Sequence, residues 1–552
     1  MRVGSKLYII CTLFLLGISV QINAQSASFM ADGVGDFVRR EQLIGKIDLG
    51  HSLLLESYST HYQALDSLLP NKKTGKKLQS YLKSKGMAFE WLPVSTTLQY
   101  NSDHPYGWNN GSMIPSAGFE GLVTGGFLLE SGKFSLQVKP EIVYAQNKAF
   151  QTFPEDYSDA YWASYYQLLN RSDIPERFGN NTYRKILPGQ SSIRYNSGVL
   201  SVGLSTENTW WGPGRYNALI MSNNAPGFAH ISLDTRKPIQ TPIGSFEGQL
   251  IAGSLVSSGV AVPDTNRYIN NIRVYQPKNE ANRYLSAVTI SWQPKWVKGL
   301  FVGLAKASYE YYADISGIAD ILPLQGIIKS STEKNGKKAS LGSLFARYVM
   351  PEDRAELYVE FGRNDKAASI INMISDKGYP SGYVAGFRKL FAQKKPNQFM
   401  ELAVEVTQLE LPTAQLIQQS ASWYTHSYVR QGFTNQGRVL GACIGPGSNS
   451  QLLDISWVKG FTKIGLQFQR LLHNNDFYYN TFVTTQDYTR HWVDLSTTLH
   501  VDWKYQHVLV SGQFGVIRSY NYQWYIFQGL NYFNNGLDVL NLHGGVSVAY
   551  RL

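Results

Sequence analysis

From about Glu90 to the C-terminus, hydrophobic and polar positions alternate with a period of two, which marks strands with two different faces. The last segment is the plainest. Leu540, Leu542, Gly544, Val546, Val548, Tyr550 and Leu552 alternate with Asn541, His543, Gly545, Ser547, Ala549 and Arg551. Over 492–504, Val493, Leu495, Leu499, Val501 and Trp503 alternate with Asp494, Ser496, Thr498, His500, Asp502 and Lys504. Met400, Leu402, Val404 and Val406 oppose Glu401 and Glu405, and Leu357, Val359 and Phe361 oppose Glu356, Tyr358 and Glu360. Alternation alone fits a soluble sandwich as well as a membrane barrel.

Connection lengths separate the two. Tight links such as Glu130-Ser131-Gly132-Lys133, Asn196-Ser197-Gly198, Pro351-Glu352-Asp353, Lys394-Lys395-Pro396-Asn397 and Val458-Lys459-Gly460 take turns with long irregular stretches. The long ones lie near 147–190, 208–228, 257–282, 313–338, 365–379, 410–450, 473–487 and 519–536. Outer-membrane barrels have this asymmetry, with short periplasmic turns and long extracellular loops. The pattern predicts eighteen strands, centred near residues 97, 123, 140, 193, 203, 231, 250, 288, 306, 345, 359, 386, 404, 455, 467, 495, 512 and 546. An even count puts both barrel ends on the periplasmic rim. Trp296-Val297-Lys298-Gly299 and Trp457-Val458-Lys459-Gly460 fall on that rim, where Trp belongs in an interfacial girdle.

Residues 1–24 read as a secretory signal: Arg2 and Lys6, an apolar stretch from Leu7 to Val20, and Ile22-Asn23-Ala24 before the cut. The chain then divides into an N-terminal periplasmic helical segment, 25–88, and a barrel with long extracellular loops, 89–552. Asp36 is placed as the cap of a helix carrying Phe37, Val38, Leu43 and Ile44 and stopped by Gly45. Further helices are expected over Tyr62–Leu69 and Thr74–Lys85, the latter ending at Gly86. Lys72, Lys73, Lys76, Lys77, Lys83 and Lys85 cluster there and read as a solvated face.

Composition agrees with a barrel. Charged residues are 16% of the 552 positions, below the roughly 25% of soluble domains, and aromatics reach 13%. Disorder is excluded by that aromatic content. No segment has the ~20 apolar residues of a spanning helix. Removing Arg2 and Lys6 with the signal lowers the formal net charge from +11 to +9 and leaves Cys443 alone, without a disulfide. The excess suits either an acidic partner or lysines dispersed on turns.

Chemistry is sparse. No G-x-S-x-G elbow, H-E-x-x-H helix, phosphate loop or nucleic-acid signature occurs, and no catalytic residue, metal or cofactor is assigned. His500 with Asp494 and Asp502 reads as lumen lining rather than a proton-transfer group. The densest unusual stretch is Trp210-Trp211-Gly212-Pro213-Gly214-Arg215, followed by Ser222-Asn223-Asn224. Flat aromatic faces beside planar cations and amides suit a sugar, whose C–H faces stack while its hydroxyls hydrogen-bond. The alternative is a structural knot inside the barrel. The loop 147–190 carries Phe150, Phe153, Tyr157, Tyr161, Trp162, Tyr165 and Tyr166, and packing of the loop is the default for these.

At Trp210-Trp211-Gly212-Pro213-Gly214 with Ser222-Asn223-Asn224, and at Phe37-Val38-Arg39-Arg40-Glu41-Gln42-Leu43-Ile44-Gly45-Lys46, the chain resembles the Wzi-type capsule assembly family of outer-membrane proteins over essentially its whole mature length. The resemblance implies a closed antiparallel barrel of about 18 strands with a small N-terminal helical bundle at the periplasmic end. It also implies a non-catalytic, lectin-like role in attaching capsular or extracellular polysaccharide to the surface. The chain ends Ala549-Tyr550-Arg551-Leu552 rather than on an aromatic, so Tyr550 is expected to take that place. The expected protein is a monomer in outer-membrane lipid, working with a polysaccharide export system and not with nucleic acid. Trp210, Trp211, Arg215, Asn223 and Asn224 are the candidate polysaccharide-binding residues. A porin, with Glu356, Glu360, Glu401, Glu405, Asp494 and Asp502 lining its pore, is the rival. A hydrolase needing a Ser–His or paired-carboxylate site is a third reading.

Overall fold

A computed structural model describes residues 28–57, 68–69, 76–321, 336–364, 380–417, 420–483, 490–525 and 537–551. The signal 1–24 and most of the segment Tyr62–Leu69 lie outside the described residues. Among those described, eighteen antiparallel wall strands form a closed barrel. Its first strand, Met87–Asn101, pairs with its last, Val539–Tyr550, so that Val94 sits opposite Tyr550. Closure leaves every wall strand paired for most of its length, which a lipid environment requires of backbone polar groups. Each expected centre falls in a wall strand, the one near 140 at a break between Phe134–Val138 and Glu141–Ala145.

The period of two decides which side chains meet lipid. Leu357, Val359, Leu495, Leu499, Leu540 and Val546 are exposed on the outer face, while Glu356, Glu360, Asp494, Asn541 and His543 are buried inside. Edge-to-face pairs such as Trp292 with Trp296 and Phe134 with Tyr195 mark the short-turn rim as an aromatic girdle. The exposed Lys133, Lys237, Lys295, Lys298, Lys394, Lys395 and Lys459 stand on or beside short turns, so much of the positive excess sits on one rim.

Two expectations need correction. The first helix spans Ser28–Leu43 and begins eight residues before Asp36, which is therefore a mid-helix residue and not its cap. A long connection, 102–117, also went unread. It folds into the lumen, where Asn101 Nδ2 donates to the Tyr106 and Ser116 carbonyls at 2.9 Å each. Gly45 does end the first helix, with φ +74°, and Lys76–Ser84 forms a helix that stops before Gly86.

The helix Ser28–Leu43 lies inside the barrel near the short-turn rim. Arg40 donates to the carbonyls of Gly460 and Phe461 in one short turn, and Arg551 reaches the Leu69 carbonyl at 2.8 Å. The chain then runs inward, and Leu55–Ser57 pairs antiparallel with Thr209–Trp211 in the lumen. Asp36 is the hub of this plug. It faces Arg40 on its own helix, Arg215 on an inner loop, and Arg388 (3.0 Å) and Lys463 (3.6 Å) on the wall.

Removing one partner of a buried ion pair costs about 3–5 kcal/mol because the other charge is left unpaired. Asp36→Asn is therefore expected to loosen the plug while leaving the wall intact. Heat-dependent gel mobility should be unchanged, trypsin should cut at Arg39 or Lys46, and planar bilayers should show conductance. A closed, protease-resistant variant would refute this role for Asp36.

Candidate functional site

Among the described residues, two chambers stand out inside the barrel beside the plug. The inner one, about 260 Å³, lies against the helix Ser28–Leu43 and is lined by Asp36, Arg39, Trp210, Arg215, Asn223, Lys463 and His500 among others. The outer one, about 290 Å³, lies under the long loops. Tyr106, Gly107 and Trp108 of the unread loop 102–117 line both. Gly107 has φ +135°, and a Cβ there would stand 2.4 Å from Gln99 Nε2, so only glycine fits between the chambers.

The Trp-Trp-Gly-Pro-Gly element is built into the wall and plug. Trp211 is wholly buried and donates from Nε1 to Gln249 Oε1 at 2.6 Å. Trp210 Nε1 donates to the Gly214 carbonyl at 3.2 Å, which closes the turn on itself. Arg39 of the plug helix donates to the Pro213 carbonyl at 3.0 Å, so the two segments that carried the family resemblance touch. Arg215 reaches Asp36 and stacks its guanidinium over Tyr216. Asn224 is buried, donates to the Val439 carbonyl and accepts from Arg438 at 2.9 Å each. Of the five candidates, Trp210, Arg215 and Asn223 line the inner chamber, Asn224 lines the outer one, and Trp211 lines neither.

Of the carboxylates expected along a pore, Glu356, Glu360 and Glu405 hold the plug and inner loop, while Glu401 is held mainly by wall cations. Glu356 pairs with Arg347 at 2.7 Å and Arg39 at 3.2 Å, and Glu401 with Arg388 at 2.7 Å and Lys463 at 3.0 Å. Glu405 accepts the backbone N–H groups of Arg215 and Asn217 at 2.7 and 2.9 Å, and Glu360 that of Leu219 at 3.1 Å. Asp502 accepts from Ser511, and His500 meets Asp454, so His500, Asp494 and Asp502 have separate partners.

The outer chamber has the chemistry a sugar site needs. Its wall includes Phe150, Tyr165, Trp492, Tyr522 and Trp524 beside His104, Glu176, His473, Asn474 and Asp494. Trp492 is stacked on His473 at 3.9 Å and meets Tyr522 edge-on at 5.0 Å. Asp494 orients both, accepting from Trp492 Nε1 at 3.0 Å and lying 2.8 Å from His473 Nε2. Above it the helix Asp159–Leu169 packs Trp162, Tyr165 and Tyr166 into one aromatic cluster with Phe477, Tyr478 and Trp524. Burial pushes the Glu176 carboxyl up, and it accepts from the Tyr165 hydroxyl.

One trio has the side-chain order of a hydrolytic triad. Ser519 Oγ lies 3.2 Å from His104 Nε2, and His104 Nδ1 lies 3.2 Å from Asp103. Ser519 is wholly buried, hydrogen-bonds the Asp494 carboxylate as well, and does not line the chamber. This trio braces the chamber wall and offers no exposed nucleophile. Of the outer-chamber residues, the sequence points to Phe150 and Tyr165 in the loop 147–190, to Asn224 and to Asp494. His473, Trp492, Tyr522 and Trp524 sit at loop–strand junctions, where a period of two no longer reports anything.

A family model described as capsule assembly protein Wzi matches residues 108–523. Among solved structures the fold is similar to Wzi of Escherichia coli, described as an outer-membrane protein involved in group 1 capsule assembly and a carbohydrate-binding β-barrel. That match has TM-score 0.58 at 10% identity and covers 94% of this chain and 98% of the other. OccAB2 of Acinetobacter baumannii and OccK7 of Pseudomonas aeruginosa match with TM-score 0.38 at 11% and 10% identity. They cover 83% and 84% of this chain and 97% and 99% of their own, a likeness too slight to carry an argument. No curated protein matches the chain.

Two outcomes test this geometry. Trp211→Ala empties a fully buried site and should cost about 3–5 kcal/mol, seen as an earlier unfolding midpoint in denaturant; an unchanged midpoint would mean that Trp211 carries no structural load. The second concerns Asp476, which accepts from Leu411 N at 2.8 Å and Ser422 Oγ at 2.6 Å and so ties the loop after Gln398–Gln408 to the chamber roof. Burial raises its carboxyl to about 7 from an ordinary value near 4. Folding thus favours the protonated form. That stabilisation is complete below about pH 4 and is lost as pH rises through 7. Hydrogen-exchange protection at 409–417 and 420–423, corrected for the intrinsic rise of exchange with pH, should fall between pH 6 and 8, and Asp476→Asn should flatten the profile.

Proposed function

Because this chain belongs to the capsule assembly protein Wzi family, we propose that it is an outer-membrane protein that binds capsular or extracellular polysaccharide and holds it at the cell surface. The observation that carries this reading is the outer chamber, aromatic and polar, set under the long loops and above a plugged lumen. Sugar rings stack on Trp492 and the neighbouring aromatics, while His104, Asn474 and Asp494 orient hydroxyls. Trp210, Trp211, Arg215 and Asn224 hold the plug and the chamber floor. Asn223 lines the inner chamber, across the shared wall from the stacked aromatics. The protein works as a monomer beside an export system and performs no reaction.

A porin needs an open lumen, and here wall carboxylates are engaged by the helix Ser28–Leu43 and by the inner loop 205–230. Each sugar contact is weak, but several along one polymer multiply retention.

Deleting the gene should move polysaccharide from cells to medium while total polymer holds steady. Trp492→Ala should weaken binding of the purified barrel to host polysaccharide by about tenfold with heat-dependent mobility intact. An unchanged partition on deletion, or a conducting wild-type pore, would refute the reading.

A further inference from the structure

The barrel wall is incomplete near its long-loop rim. The strands Leu200–Ser205 and His230–Thr235 are short, and their pairing stops at Ser205 and His230. Beyond that level Tyr183–Leu187 keeps, among the described residues, a ladder partner on one side only, Glu141–Ala145. Alternate backbone N–H groups on its other side therefore point along the sheet with no strand beside them among the described residues, an arrangement lipid hydrocarbon does not tolerate.

Cations gather at this edge. Arg184 is exposed, lies opposite Tyr144 in the ladder, and holds its guanidinium 5.7 Å from that ring. Lys148, four residues beyond Tyr144 in the chain, is exposed and itself forms an isolated bridge to Ala117. Arg177 lies beside Lys148, its guanidinium on the Asn147 carbonyl at 2.7 and 3.2 Å and on the Asn180 carbonyl at 3.2 Å. None of the three meets a carboxylate among the described residues. Other cations of this rim do, as Arg267 with Asp159, Lys337 with Asp314 and Arg518 with Asp538 show. Directly beneath, Ile142 and Ile186 are exposed to lipid, and Tyr144, Tyr100 and Phe119 mark the headgroup level.

We infer that this notch binds a phosphorylated glycolipid of the outer leaflet. Lys148, Arg177 and Arg184 receive its phosphates, unpaired backbone N–H groups of Tyr183–Leu187 add donors, and acyl chains lie on Ile142 and Ile186. The long loops set this rim on the cell-surface side, which selects the outer-leaflet lipid over inner-leaflet phospholipid. The inference rests on the barrel's orientation and not on polysaccharide binding, so the two fail separately.

The test is native mass spectrometry of the full-length protein released from detergent after incubation with bis-phosphorylated lipid A, dephosphorylated lipid A or phosphatidylglycerol. Wild type should retain the bis-phosphorylated form. Lys148→Ala with Arg184→Ala should weaken that retention by roughly thirtyfold, with heat-dependent mobility unchanged. Lys133→Ala with Lys298→Ala, on the opposite rim, should have no effect. Equal retention by wild type and the Lys148/Arg184 variant would overturn the site. Equal retention of phosphatidylglycerol or of dephosphorylated lipid A would overturn the assignment to a phosphorylated glycolipid.

Discussion

Charge matching across the lumen governs this structure. An eighteen-strand barrel is wide enough to enclose an aqueous channel, and here its inward face carries Glu356, Glu360, Glu401, Glu405, Arg347 and Arg388, all buried. Charges in that position must be paired or hydrated. The plug supplies the pairing: Asp36 meets Arg388 and Lys463, and Arg39 meets Glu356, while inner-loop backbone amides meet Glu360 and Glu405. A one-residue slip of the helix would misplace several of these partners together, so the network sets the plug's register.

Everything else inside is arranged around that network. The Trp-Trp-Gly-Pro-Gly turn presents its Pro213 carbonyl to Arg39, and Gly212 places its backbone where a Cβ would stand 3.0 Å from Glu360 Oε2. The element's rarity in sequence thus reflects crowding at the meeting of plug and wall. The two chambers described share a wall at Tyr106–Trp108, and the outer one is aromatic because the loop roof above it is built from Tyr, Phe and Trp. A surface that holds a polymer needs stiff stacking faces held in place, and Asp494 fixes Trp492 and His473 together.

Wall and loops answer to different solvents. Outward residues such as Leu495 and Leu540 need only be apolar, and inward ones such as Asp494 must each find a specific partner. Where strands shorten, near Leu200–Ser205, the wall leaves an edge without a strand among the described residues, and Lys148 and Arg184, which meet no carboxylate among those residues, stand beside it.

The sequence by itself determined the barrel. Alternation at Leu540–Leu552 or Glu356–Phe361 and the exchange of short and long connections are local properties, since a pleated strand between lipid and lumen forces them residue by residue. It also carried the family, through Trp210–Gly214, which falls within the matched residues 108–523. Tertiary structure alone decided what those segments do. That Arg39 binds Pro213 across 174 positions, or that Asp36 sits amid wall cations rather than capping a helix, depends on contacts between distant residues. The outer chamber was hidden for the same reason: Tyr106, His473, Trp492 and Tyr522 come from three separate connections whose convergence leaves no periodic trace.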